Sequence, residues 1–259
     1  MALLAGKKFL ITGISSNRSI AYGIAQACAR EGAQLALSYN NERFKDRVQG
    51  FADELGAGQV IKLDVSSDES VDLAALELAN RWSDGFDGFV HSIGWAPREA
   101  ISGSFLEGIT REGFLSAMNI SVYSYAALAK KLLPQMEGHK ASLLTLSYLG
   151  GEKIVPNYKA ALEAATRYIS ADIGPKGMRA NTISCGPIKT LAASGIKNFG
   201  TMLAQSRSVS PLRSLVSIED VGNAAAFLLS DSSFGITAET LYVDAGFNAL
   251  ACVIPPEEA

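Results

Sequence analysis

A chain of 259 residues with 23 basic and 26 acidic side chains carries a net charge of −3, which gives a nucleic-acid backbone or an anionic membrane surface nothing to hold. Hydrophobic residues make up 48% and charged residues 19%, so a disordered chain is excluded and a sizeable buried core is allowed. No apolar run approaches the roughly 20 residues needed to cross a bilayer, and the start, Met1–Lys8, turns basic too soon for a secretion signal. Cys28, Cys185 and Cys252 are odd in number and form no CxxC spacing, and His91 and His139 are too few for a His-based metal cluster. Reduced thiols, no metal and a soluble cytoplasmic protein are the expectation.

In chain order, short apolar runs at Phe9–Thr12, Leu35–Tyr39, Val60–Asp64, Gly88–His91, Ser142–Leu146, Arg179–Ser184 and Leu241–Val243 read as buried strands. Continuous apolar runs of this length suit a parallel sheet covered on both faces. Helical patterns are predicted between them at Ser19–Glu31, Asn41–Leu55, Ser70–Arg81, Thr110–Met136, Ala160–Ile173 and Ile218–Leu229. Gly32 and Gly56 fall just past the first two, where a helix C-terminus favours glycine. Such alternation implies right-handed crossovers and a doubly wound α/β fold, with a mostly parallel, seven-stranded Rossmann-type sheet and helices on both faces. No linker, repeat or charge block interrupts residues 1–259, which read as one domain ending in a loose tail from Val253.

Directly after the first predicted strand, Gly13-Ile14-Ser15-Ser16-Asn17-Arg18-Ser19-Ile20-Ala21-Tyr22-Gly23-Ile24-Ala25 opens a helix. A glycine there lets backbone approach a pyrophosphate, and the helix start offers N–H groups and a positive dipole end. Ser19 could cap the helix and bond a phosphate. Taken alone, the segment reads equally well as an ordinary strand-to-helix turn with a serine cap. Two further strand ends carry compatible chemistry. Asp64-Val65 offers a carboxylate to an adenine amino group, and Ser92-Ile93-Gly94 lets a cofactor lie across strand ends. Together they point to a dinucleotide. At the end of the second strand, Tyr39-Asn40-Asn41-Glu42 supplies amides and an acid but no cation, which suits a ribose 2′-hydroxyl and therefore NADH. Arg43 and Lys45 read as a solvated face.

The fifth strand runs into Leu146-Ser147-Tyr148-Leu149-Gly150, then Pro156-Asn157-Tyr158-Lys159-Ala160-Ala161-Leu162-Glu163-Ala164. With the Gly13–Ala25 turn, His91-Ser92-Ile93-Gly94, Gly186–Ile196, Glu219–Asn223 and Val243–Phe247, this resembles the short-chain dehydrogenase/reductase superfamily. Within it, the chain is similar to the bacterial NADH-dependent enoyl-acyl-carrier-protein reductases over nearly its whole length. Carbonyl-reducing members carry serine thirteen residues before the catalytic tyrosine and lysine four after it, where this chain has Thr145 and Leu162. The enoyl reductases carry a second tyrosine ten residues upstream, matched by Tyr148, and a lysine seven downstream. Here Lys159 follows Tyr158 at once, and Ala165 stands at the expected position.

Residues on each side match the family, so a six-residue gap lies between 158 and 159. Residues seven apart share a helix face, because two turns take about 7.2 residues, whereas neighbours point about 100° apart. Three sources are open: residues omitted between the two, a deletion, or a divergent homologue. The first is the expectation, with Lys159 then in register with the nicotinamide ribose. The alternative function is a cofactor-binding homologue with impaired catalysis; a carbonyl reductase is opposed by Thr145 and Leu162.

The resemblance implies reduction of a trans-2-enoyl thioester on acyl carrier protein, in fatty-acid elongation. Tyr158 would donate to the thioester oxygen, Lys159 would hold the ribose hydroxyls and lower the phenol pKa, and Tyr148 would line the acyl pocket and assist. The cofactor set is Gly13, Ser19, Ile20, Asn40, Asp64, Val65, Ser92, Ile93, Gly94, Lys159, Ile188, Thr190, Leu191 and Ala192. The substrate set is Ala96, Tyr148, Tyr158, Ala192, Ile196, Phe199 and Met202, beneath a lid at about 187–210. A homotetramer is implied, as is docking of the acidic carrier on Lys189, Lys197, Arg207 and Arg213. His91 reads as a satisfied buried histidine.

Overall fold

Seven strands, β1 (Lys8–Ile11), β2 (Gln34–Tyr39), β3 (Ile61–Lys62), β4 (Gly88–His91), β5 (Ser142–Tyr148), β6 (Arg179–Cys185) and β7 (Thr240–Val243), form one sheet. Their order is β3-β2-β1-β4-β5-β6-β7, and every pairing is parallel. The structure, a computed structural model, describes residues 2–58, 60–101, 105–153, 161–191, 193 and 199–250. The helices are α1 (Ile20–Arg30), α2 (Lys45–Glu54), α3 (Asp68–Arg81), the single turn α4 (Phe105–Gly108), α5 (Arg111–Met118), α6 (Ser124–Met136), α7 (Leu162–Ile173), α8 (Phe199–Val209) and α9 (Ile218–Leu229).

Alternate residues of one strand point to opposite faces, and both faces are apolar. Phe9 and Ile11 join Ile24, Val48, Val221 and Leu228 beneath α1, α2 and α9. Leu10 joins Val71, Leu78, Tyr125, Leu132 and Ile169 beneath α3, α6 and α7. Helices α1 and α9 touch backbone to backbone. A Cβ on Gly23 would stand 2.3 Å from the Ile218 carbonyl oxygen, and one on Gly222 would stand 2.4 Å from that of Gly23. The start of α1 is thereby fixed above the sheet.

Four expectations from sequence are corrected. Val60–Asp64 shrinks to a two-residue strand, because the Asp64 amide leaves the ladder for Ser70 Oγ at 2.9 Å. The predicted helix Asn41–Leu55 begins as a 3₁₀ turn at Glu42–Phe44, with Asn41 Oδ1 accepting from the Arg43 amide. The predicted Ser70–Arg81 helix starts earlier, at Asp68, because Ser67 Oγ accepts from the Ser70 amide and caps it. The continuous helix Thr110–Met136 is divided by a π-helical turn, Asn119–Tyr123, between α5 and α6. Ser124 Oγ donates to the Ile120 carbonyl within this turn at 2.7 Å, a side-chain bond that periodicity does not reveal. Ile218–Leu229 matches its prediction, and Gly32 and Gly56 adopt φ of +85° and +66° past their helices.

Among the described residues, no helix is long and apolar enough to cross a membrane, and no His/Cys/Asp/Glu group is arranged to hold a metal. Cys28 is fully buried, and burial pushes its thiol up to about 12.

Candidate active site

Strand order reverses between β1 and β4, and in open α/β sheets the crevice at such a reversal takes the ligand. Gly13 and Ser92 meet there. Gly13 has φ +85°, and a Cβ on it would stand 1.9 Å from the Ser92 carbonyl oxygen. Thr12 links the same two segments, its hydroxyl donating to the Val90 carbonyl at 2.9 Å and accepting from the Ser92 amide at 3.3 Å. Helix α1 then starts at Ile20 with no acidic residue in its first turn, so its own side chains do not neutralise its positive end. Ser19 does not cap the helix through its side chain, contrary to expectation; its hydroxyl donates to the Ser16 carbonyl at 2.6 Å and tightens the loop.

At the end of β2, Asn40 is exposed. The Arg43 guanidinium lies 4.6 Å from the centre of the Phe44 ring, so Arg43 is stacked, not merely solvated. Sequence reading missed Arg47, which crosses from α2 to donate to the Ser15 carbonyl at 3.3 Å. Asp64 Oδ1 accepts from the amide and hydroxyl of Ser66 at 3.0 and 2.6 Å. Val65 packs on the core beneath α3 and α6.

Beyond β4, Ser92, Ile93 and Ala96 are half-buried, while Gly94 and Trp95 are exposed. His91 is fully buried, with Nε2 2.8 Å from Ser124 Oγ and Nδ1 3.2 Å from Thr145 Oγ1. Thr145, at the carbonyl reducers' serine position, also donates to the His91 carbonyl at 3.2 Å. Its hydroxyl belongs to this buried pair.

Tyr148 ends β5, and its ring folds over Gly150, where a Cβ would stand 2.4 Å from the phenol oxygen. That oxygen is buried without a hydrogen-bond partner among the described residues. Next to Tyr148, the Ser147 hydroxyl donates to Glu163 Oε1 on the first turn of α7. Glu163 is only 7% exposed, and its Oε2 also lacks a partner among the described residues. Burial, then the Glu163 charge, pushes the Tyr148 phenol well above its ordinary value. Tyr242 is raised to about 12 by burial, by a hydrogen bond to Glu152 and by the charges of Glu152, Glu163 and Asp244. Sequence reading did not single out Ser147, Glu163 or Tyr242. The available signal was a lone carboxylate in an otherwise alanine-rich helix start.

Ile188 packs against the core beneath α1 and α9, Thr190 Oγ1 accepts from the Ala193 amide at 3.1 Å, and Leu191 is exposed. Phe199 and Met202 are half-buried on α8. Tyr158, Lys159, Ala192 and Ile196 lie outside the described residues. Tyr158 and Lys159 are nevertheless consecutive in the full sequence.

The family model described as Enoyl-(Acyl carrier protein) reductase matches residues 13–248. The chain belongs to this family. The enoyl-[acyl-carrier-protein] reductase [NADH] of Salmonella typhimurium is 52% identical over 257 residues, covering 97% of each chain. That of Aquifex aeolicus is 45% identical and covers 100% of this chain and 97% of its own. Its alignment runs over 264 positions against 259 residues, so the relative has at least five residues without a counterpart here. A shortened stretch in this member of the reductase family agrees with that. The crystal structure of the Aquifex aeolicus enzyme superposes with a TM-score of 0.93 at 45% identity, covering 96% of this chain and 99% of that one. An Anaplasma phagocytophilum enoyl-(acyl-carrier-protein) reductase, solved in complex with NAD, has a TM-score of 0.93 at 41% identity and covers 97% of both chains.

Proposed function

We propose that this protein reduces the trans-2 double bond of enoyl-acyl-carrier-protein thioesters with NADH, in fatty-acid elongation. The observation that carries this reading is the family match across residues 13–248, with Gly13 against Ser92 at the sheet's reversal point. The cofactor fits the residues present. Gly13 lacks the Cβ that would close the crevice, the start of α1 is free of its own acids, and Asn40 is exposed where a ribose would lie. Ile20, Asp64, Val65, Ser92, Ile93, Gly94, Ile188 and Leu191 complete the proposed cradle, with Ala192, and with Lys159 on the condition that it comes into register with the nicotinamide ribose beside Tyr158. Thr190 uses its oxygen to accept from Ala193, which leaves the hydroxyl hydrogen for a phosphate.

The nicotinamide supplies a hydride to Cβ of the enoyl group. Negative charge then develops on the thioester oxygen, and a proton added at Cα completes the saturated product. Tyr158 donates to that oxygen, a contact that strengthens as charge develops. Tyr148 lines the acyl pocket and, held neutral by burial and by Glu163, serves as a second donor. Phe199, Met202, Ile196 and Ala96 form the apolar wall, under a lid at about 187–210. With NADH deuterated at both C4 positions, deuterium is expected at Cβ and a solvent proton at Cα. Unlabelled product, or none, would sink the reading.

Assembly as a cytoplasmic homotetramer is part of the proposal. Exposed Phe114 and Leu115 on α5, Tyr123 on the π-turn and Tyr168 on α7 support it, since Tyr168 is 78% exposed in the single chain. The acidic carrier protein docks beside the lid, where Lys189, Arg207 and Arg213 are exposed; Lys197 lies outside the described residues.

A further inference from the structure

Helix α5 passes into α6 through a π-helical turn, Asn119–Tyr123. Such turns are rare and often mark functional sites, because one extra residue per turn re-aims side chains and frees backbone groups. Here the re-aimed side chain is Ser121, which is 1% exposed. Its hydroxyl makes two bonds to the same residue. It accepts from the Trp95 amide at 3.0 Å and donates to the Trp95 carbonyl at 3.0 Å. One small side chain therefore satisfies both backbone groups of a residue that is itself 47% exposed.

The consequence lies in what that stretch of chain connects. The loop from Ser92 to Ala96 is fastened at one end by Thr12, whose hydroxyl accepts from the Ser92 amide at 3.3 Å. Ser121 fastens it at the other end. Ile93 and Gly94, between the two fixings, carry proposed cofactor contacts, and Ala96 carries a proposed substrate contact. Ordinary α-helical geometry would turn Ser121 by up to about 100°, the rotation of one residue, relative to the residues after it, and the pair of hydrogen bonds to Trp95 would be lost. Next in the chain, the π-turn is held by Ser124, which donates to the Ile120 carbonyl and meets His91 on β4. Turn and strand are thus tied together on the side from which the loop emerges.

We propose that Ser121 is a positioning residue for the enoyl substrate: through Trp95 it sets the distal end of the Ser92–Ala96 loop. It touches no reacting atom, and this role rests on the reading of the chain as an enoyl reductase. The Ser121 hydroxyl acts on binding geometry, so its loss is expected in the substrate KM and much less in kcat.

The test has two arms. In the wild-type protein without ligand, the Trp95 amide is expected to exchange about fivefold more slowly than in Ser121→Ala, the fold-change that corresponds to roughly 1 kcal/mol for the one hydrogen bond the amide loses. In steady-state kinetics, Ser121→Ala raises KM for the enoyl thioester about tenfold with kcat within about threefold, and Ser121→Thr, which keeps the hydroxyl, restores most of the loss. If Ser121→Ala does not fold, the wild-type Trp95 amide must still be protected against its free-peptide rate. An unprotected Trp95 amide overturns the proposal, as does faster exchange in Ser121→Ala with an unchanged KM. A wild-type protein without turnover removes the reading beneath the proposal, a failure told apart by Trp95 protection that remains intact.

Discussion

A side chain on Gly13 would collide with the carbonyl oxygen of Ser92, 1.9 Å from the place its Cβ would take. The turn after β1 and the loop after β4 therefore share one wall of the proposed cofactor crevice. Gly13 also has φ +85°, a conformation that costs a non-glycine residue roughly 1–2 kcal/mol, before about 1–3 kcal/mol of overpacking. Gly13→Ala is expected to lower the urea midpoint and to weaken NADH binding together. Unchanged unfolding and unchanged NADH titration would refute the shared wall.

Cofactor choice follows from what the nearby cations already do. Arg43 stacks on Phe44 and Arg47 bonds the Ser15 carbonyl, and Asn40, the residue proposed to meet the ribose, is exposed at the end of β2. NADH should be preferred over NADPH, and Asn40→Arg should shift the kcat/KM ratio toward NADPH by at least about tenfold, the worth of one charge-assisted bond. A wild-type enzyme that uses NADPH as well as NADH would contradict this.

The sheet was legible because parallel strands buried on both faces are continuous apolar runs, as in Phe9–Ile11 and Leu35–Leu37. Gly13 and Ser92 stood out because they sit just past the ends of those runs, whereas Tyr148 was singled out through the family resemblance. What escaped was local hydrogen bonding that competes with regular structure: Ser70 shortening β3, Ser67 starting α3 early, and Ser121 and Ser124 shaping the π-turn. Arg47 and Glu163 escaped for another reason. A charged residue on a helix looks solvated in sequence, and only tertiary contact shows Arg47 reaching Ser15 and Glu163 buried beneath Ser147.

Alkaline pH offers a check on the Tyr148 environment. Burial raises the Tyr125 and Tyr148 phenols above the ordinary value of 10.0, with Glu163 adding to the rise at Tyr148. The folded state then holds protons that the unfolded chain releases. The stability they contribute is full below about pH 10 and is lost as pH rises through the folded values. Tyrosinate absorbance should show these two ionising only with unfolding, and Glu163→Gln should let Tyr148 ionise at lower pH. All eight tyrosines titrating freely in folded protein would contradict the assignment.

Assembly through the exposed apolar faces of α5 and α7 predicts that Leu115→Asp combined with Tyr168→Glu yields protomers. Both positions are more than half exposed in the single chain, so the fold itself should survive by circular dichroism. Light scattering that reports a wild-type monomer at micromolar concentration, or an intact tetramer in the double variant, would refute this interface.

The most direct test sets two thioesters of acyl carrier protein against each other with the full-length protein and NADH. One bears a trans-2-enoyl chain and the other a 3-oxoacyl chain of the same length. Expected is oxidation of one NADH per saturated acyl chain formed from the enoyl substrate, none from the 3-oxo substrate, and a large loss of rate in Tyr158→Phe. Turnover of the 3-oxo substrate alone, or no NADH oxidation by folded protein that binds NADH, would contradict the assignment as an enoyl reductase.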